Sequence, residues 1–277
     1  MSSELNDLHA RIGGFVKRPE FNDYAEKYSD HFVMERRDGI IQVRMHTDGG
    51  PALFSFGLHN AWGQAWQEIG NDPRNEVLIL TGTGDRWLDA SPASYAEPPT
   101  QWPDGFAYEH AYYDATKLLE NLIFAIDIPT IAAINGPGVA HTEIALLCDI
   151  TLCSEETTIA DPHFLTGVAP GDGQHLSFQE LMGTKRAAYY LYTSEQIDAP
   201  TALQLGLVNE VLPQERLLPR AWEIAEMIMQ RPRATRRLTH AILQRPWKRR
   251  LVQDFGFGLA HEMFGISSGK ANGRDSK

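Results

Sequence analysis

Hydrophobic and polar positions alternate along this chain between two periods. His31 to Arg37 and Ile40 to His46 read as a pair of short strands around the Arg37-Asp38-Gly39 turn, a hairpin signal. From Leu58 to Ile69 the period changes, with Leu58, Trp62, Ala65, Trp66 and Ile69 on one helical face. The apolar run VLILTG from Val77 then predicts a strand covered on both faces. The same order recurs. Tyr108 to Ile126 has helical spacing and TIAAING is the next buried strand; Glu143 to Leu147 is helical again and DITLCS follows as strand. Successive strand and helix units predict an α/β domain of stacked turns. Beyond Ser177 helices dominate: Leu181 to Leu191, a start at Asp198 leading into Ala202 to Leu205, Leu217 to Met229, Arg233 to Leu243, and Lys248 to about Ile266. The tail SSGKANGRDSK is expected to be disordered.

Composition narrows the class. The 277 residues are 43% hydrophobic and 22% charged, enough for one large core with a helical appendage. No apolar run approaches the roughly 20 residues of a membrane span, and the polar start MSSELNDLHARIGG lacks a signal-peptide core, so a cytoplasmic address without membrane contact is expected. A net charge of -11 argues against nucleic acid as a partner. Cys148 and Cys153 flank a buried strand, where a bridge between them is sterically disfavoured, so both are expected as reduced core thiols. Neither GxGxxG nor GxxxxGKS occurs.

Candidate chemistry concentrates between Asn135 and His175. Two glycine-rich turns, NGPGVAHTE and DPHFLTGVAPGDGQH, carry His141, His163, Asp172 and His175. A neutral imidazole takes a proton from water, and a carboxylate on its other nitrogen fixes the tautomer; His163 and Asp172 suit those roles. His141 suits donation to a substrate carbonyl. A zinc site of His141, His163 and His175 is a weaker alternative, since no HExxH or Cys-rich spacing accompanies them.

The ordered motifs LILTGTGDRW, IPTIAAINGP, EIALLCDITLCSEETTIADPHFLTGVAPGDG and SEQIDAPTALQLGLVNEVLP resemble the crotonase (enoyl-CoA hydratase/isomerase) superfamily over most of the chain. The resemblance implies a spiral core of stacked ββα turns over 1–212, with an N-terminal extension, and a helical C-terminal region over 213–277 that builds a homotrimer or a dimer of trimers. Departures from the hydratase pattern are as informative as the matches. The loop after TGTG reads WLDASPASY, where Pro92 has no N–H to offer an acyl carbonyl. His141 stands where a glycine is usual, Glu143 at the place of the first catalytic glutamate, and His163 at that of the second.

These changes resemble the branch of 6-oxocamphor hydrolase and related β-diketone hydrolases, which cleave a C–C bond in a retro-Claisen reaction without a cofactor. That likeness extends to His59, His141, His163, Asp172 and Glu262, with Phe54 in place of the branch's tryptophan. It implies a small-molecule β-diketone substrate, with Phe54, Trp87, Tyr95 and Phe164 as candidate pocket residues and His59 with Glu262 as a second acid/base pair. The alternatives are an acyl-CoA hydratase or isomerase using Glu143 and a non-catalytic oligomeric scaffold.

Overall fold

The computed structural model describes residues 13, 16–89 and 105–271. Tyr95 and Pro92, the pocket candidate and the residue expected to weaken an oxyanion hole, lie outside the described residues.

The main sheet has six strands, in the order Phe32–Arg37, Ile40–Met45, Val77–Thr81, Thr130–Ile134, Ile150–Ser154 and Glu210–Leu212, labelled β1 to β6. Its hairpin, β1 (Phe32–Arg37) with β2 (Ile40–Met45), is antiparallel and pairs Arg37 with Ile40 next to the turn. Every later pairing in this sheet is parallel: β2 with β3 (Val77–Thr81), β3 with β4 (Thr130–Ile134), β4 with β5 (Ile150–Ser154), and β5 with β6 (Glu210–Leu212). Parallel strands need crossovers, and the helices Phe56–Asn71 and Asp114–Phe124 supply the first two. A second line of isolated parallel bridges joins Leu53 to Asp89, Leu88 to Gly138, and Gly138 to Ile159. Each turn of the chain thus lies against the previous one at two places, which makes the stack a spiral rather than an open sheet.

Both sheet faces are covered, which explains the unbroken apolar strands. Ile41, Val43, Leu78, Leu80, Ala132 and Ile134 face the larger core with Trp62, Trp66, Leu118 and Leu122. Their neighbours Ile40, Val77, Ile79, Ile131, Ala133 and Leu152 face Leu217, Ala221, Ile224 and Ala225 of the helix Gln214–Met229. Cys148 and Cys153 are both free and buried, and burial pushes each thiol up to about 12. They are inert core residues.

Several boundaries differ from the sequence-based expectation. The stretch taken as one helix from Leu181 to Leu191 is two, Gln174–Met182 and Thr184–Thr193, because Gly183 sits at φ +83° between them. The helix expected over 108–126 opens as a π-helix, Ala107–Tyr113, before continuing as Asp114–Phe124. The C-terminal helix begins earlier than Lys248, at Arg245, passes through a π-helical turn at Leu251–Phe255, and runs on to Ala271. Residues Ser267 to Ala271, expected to be disordered, are therefore helical; the Ser267 hydroxyl donates to the Met263 carbonyl at 2.9 Å and so does not compete with the helix.

Candidate functional site

Four separate pieces of chain converge here. The helix Phe56–Asn71 is capped by Ser55, whose Oγ accepts from Leu58 N at 3.1 Å, and its apolar face carries His59 inward one turn after the cap. The turn after β4 presents His141 in the left-handed region, at φ +48°. That backbone conformation is why a glycine suits the position, and His141 tolerates it within a braced turn. Trp87 Nε1 donates to the His141 carbonyl at 3.2 Å. Phe54 stacks on the imidazole at 5.4 Å, Trp62 meets it edge-on at 5.7 Å, and the His59 ring lies 4.7 Å away.

His141 Nδ1 is hydrogen-bonded to Glu143 Oε1 at 2.6 Å. Glu143 is 1% exposed and opens the short helix Glu143–Leu146. Burial raises its carboxyl, the His141 charge works against that, and Asp172 adds to it, leaving a raised value. For His141, burial lowers the imidazole, but the charge and hydrogen bond of Glu143, with help from Asp172, raise it above its ordinary value.

The second turn carries Asp161, Pro162 and His163. Asp161 Oδ1 accepts from His163 N at 2.9 Å and pairs with His163 Nδ1 at 3.0 Å. On the other edge of the ring, His163 Nε2 lies 3.6 Å from Asp172 Oδ2 and 3.8 Å from Glu262 Oε1. Burial acts to lower His163, yet the charges of Asp172, Asp161 and Glu262 together hold it well above the usual imidazole range.

Asp172 stands between the two imidazoles, with Oδ2 3.9 Å from His141 Nδ1 as well. Burial raises its carboxyl, but the positive rings of His163 and His141 outweigh that and keep it low. Its Oδ1 is buried and has no hydrogen-bond partner among the described residues. Opposite, Glu262 Oε2 accepts from Gly171 N at 3.0 Å, while burial and the Asp172 charge push this carboxyl up to about 8. Backbone contact makes this approach possible: a side-chain carbon on Gly171 would lie 2.1 Å from the Gly258 carbonyl oxygen.

The sequence-based candidates are thus mostly brought together, with corrections. His141, His163, Asp172 and Glu262 share one cluster. Asp172 is not bonded to the outer nitrogen of His163; that place belongs to Asp161, which the sequence reading passed over. An aspartate two residues ahead of a histidine across a proline is the signal that would have found it, since Asp side chains commonly bond the backbone two residues on. Glu262 faces His163 and Gly171 rather than forming a pair with His59. Both ring nitrogens of His59 lack partners among the described residues, and burial with the His141 charge drives it down to about 3, which favours the neutral ring.

The candidate pocket residues divide. Phe54 contacts the His141 ring, Trp87 is fully buried and braces the turn through its bond to the His141 carbonyl, and Phe164 is 48% exposed, its ring edge-on to Tyr192 at 5.1 Å. The three-histidine zinc set is not formed. His175 instead packs near Gly258, and the groups able to share an ion are His141, Glu143 and Asp172, or Asp161, His163 and Asp172.

The enoyl-CoA hydratase/isomerase family profile matches residues 35–265. The chain belongs to the crotonase family. Within it, a β-diketone hydrolase of the cyanobacterium Anabaena, solved bound to (S)-3-oxocyclohexyl acetic acid, is 36% identical, with a TM-score of 0.83 over 91% of this chain and 99% of that one. A crotonyl-CoA hydratase of Syntrophomonas wolfei is 31% identical over 176 residues, 62% of this chain and 65% of the relative. A carnitinyl-CoA dehydratase of Salmonella is 29% identical over 205 residues, 73% of this chain and 75% of the relative. The spiral of stacked turns with a helical C-terminal region is the crotonase fold, as the motif order implied.

Proposed function

We propose that this crotonase-family chain hydrolyses a C–C bond in a β-diketone. The observation that carries the reading is the buried Asp172 carboxylate, set between two imidazoles and opposite a carboxyl that stays protonated at neutral pH. Such a set moves protons in both directions. The 36% identity to a β-diketone hydrolase along nearly the whole chain supports the same reading.

In the reaction, water gives a proton to His163 Nε2 while its oxygen bonds to one carbonyl carbon. The displaced electron pair becomes an oxyanion, to which His141 donates from the ring nitrogen that Glu143 does not hold. Collapse of that oxyanion breaks the C–C bond, and the pair leaves as an enolate on the second carbonyl. The enolate carbon then takes up a proton from His163 or Glu262, so that one water is added across the bond and a carboxylic acid and a ketone result; a cyclic substrate gives a keto acid. None of these steps calls on an organic cofactor. The aromatic ring of Phe54 against His141 favours an apolar substituent next to the reacting carbonyl.

A hydratase reading centred on Glu143 is supported by the coenzyme A relatives but opposed by geometry. One oxygen of its carboxyl is held by His141 Nδ1 at 2.6 Å, and His163 stands where a second glutamate is expected. Incubation with a panel of cyclic and acyclic β-diketones, following enol absorbance, and with crotonyl-CoA in parallel, separates the two. Diketone loss with inert crotonyl-CoA is expected; the reverse pattern defeats the proposal.

A further inference from the structure

We infer that Asp161 is the positioning residue of His163, fixing its ring by Nδ1 so that Nε2 is the nitrogen that works toward Asp172 and Glu262. The inference rests on the proposed diketone chemistry for its consequence in rate, but on geometry for its substance. Asp161 is 2% exposed and uses one oxygen, Oδ1, twice: for the backbone N–H of His163 at 2.9 Å and for ring Nδ1 at 3.0 Å. Between them stands Pro162, whose ring fixes its own φ and limits the freedom of Asp161 before it. One side chain therefore sets both where the His163 backbone turns and how its ring is rotated.

The opposite allocation, with Asp172 as the orienting carboxylate, has a physical cost. It would place the imidazole proton on Nε2 and leave Nδ1 as the base, yet Nδ1 faces a buried carboxylate 3.0 Å away, with no room for water. Nε2 faces two carboxyl groups at 3.6 Å and 3.8 Å, beyond direct hydrogen bonding and at a spacing that admits a reacting group. Asp172, with Oδ1 unpartnered, is then left to hold water rather than to hold the ring. A carboxylate behind the imidazole also stabilises the imidazolium formed when water is deprotonated.

The experiment is nitrogen NMR of the full chain labelled in its histidines, on the wild type and on Asp161→Asn, with kinetics on the same samples. Asn keeps an oxygen for the backbone N–H and removes the charge. Expected are an Nδ1–H tautomer for neutral His163 in the wild type, a fall of about tenfold in its proton affinity in Asp161→Asn, and a drop in kcat of about 10- to 100-fold with KM nearly unchanged. An Nε2–H tautomer in the wild type, or an unchanged tautomer and proton affinity in the variant, overturns the inference even if Tm falls. The NMR readout needs no substrate, so an enzyme inert toward every diketone would sink the functional proposal while leaving this assignment to be judged by itself.

Discussion

At His163 two demands conflict, because a base must be neutral to accept a proton and this ring is held well above its ordinary value by three carboxyl groups. The consequence is a pH profile. Activity should be absent at low pH, rise as His163 loses its proton above the ordinary imidazole value of 6.5, and fall again as Glu262 loses its proton near about 8. A rate that is flat across this range contradicts the assignment of both groups. His163→Ala and Asp172→Asn should each lower turnover by at least about 10²-fold with circular dichroism unchanged; near-normal turnover in either removes that residue from the chemistry. Glu262 has a separate signature in stability. Its carboxyl is raised from 4.5 to about 8, so ionising it costs the folded state progressively more from pH 4.5 upward, reaching the full penalty above about 8. Glu262→Gln should therefore melt higher than wild type at about pH 9 and about equally at pH 4 or so. Equal Tm at both would mean that the carboxyl is not buried as described.

Elements decide how these residues meet, and at this scale the sequence was partly readable. The helix carrying His59, the turn carrying His141 and the strands between them follow from apolar period and glycine placement. His141 itself was legible as an intruder in a glycine position, and its φ of +48° gives that reading a cause. Asp161 was not, because its role lies in a side chain folding back on the next-but-one residue, which leaves no mark in hydrophobic pattern. Trp87 was read only as an apolar pocket candidate, because periodicity does not report that its indole N–H braces the carbonyl of the His141 turn. The C-terminal helix illustrates the same limit. Gly256 and Gly258 look like weak points in a helix, yet Gly258 is where the backbone of the second glycine-rich turn comes close enough for Gly171 N to reach Glu262. Gly171→Ala should cost roughly 1–3 kcal/mol, seen as a lowered denaturation midpoint, and should reduce kcat by pulling Glu262 away. A variant as stable and as active as wild type would show that this close approach is not required.

Over the whole molecule, the same C-terminal region that contributes Glu262 exposes Leu238, Ile242, Val252, Phe257 and Phe264, each more than 60% accessible. Apolar surface of that kind on consecutive helices fits the homotrimer, or paired trimers, that the family resemblance implies. Light scattering should give three or six copies; a monomer at micromolar concentration contradicts this. No helix among the described residues is long and apolar enough to cross a membrane. The fold is shared with coenzyme A enzymes, so the fold alone does not select a reaction. In the proposed reading, what selects it is His141 and His163 around Asp172, where the hydratase pattern has a glycine and a glutamate. The most direct test of that claim is turnover of a cyclic β-diketone in ¹⁸O-labelled water with mass analysis of the product. The account predicts a ring-opened keto acid with one labelled oxygen in its new carboxylate, whereas unchanged diketone, or a product lacking the label, would contradict it.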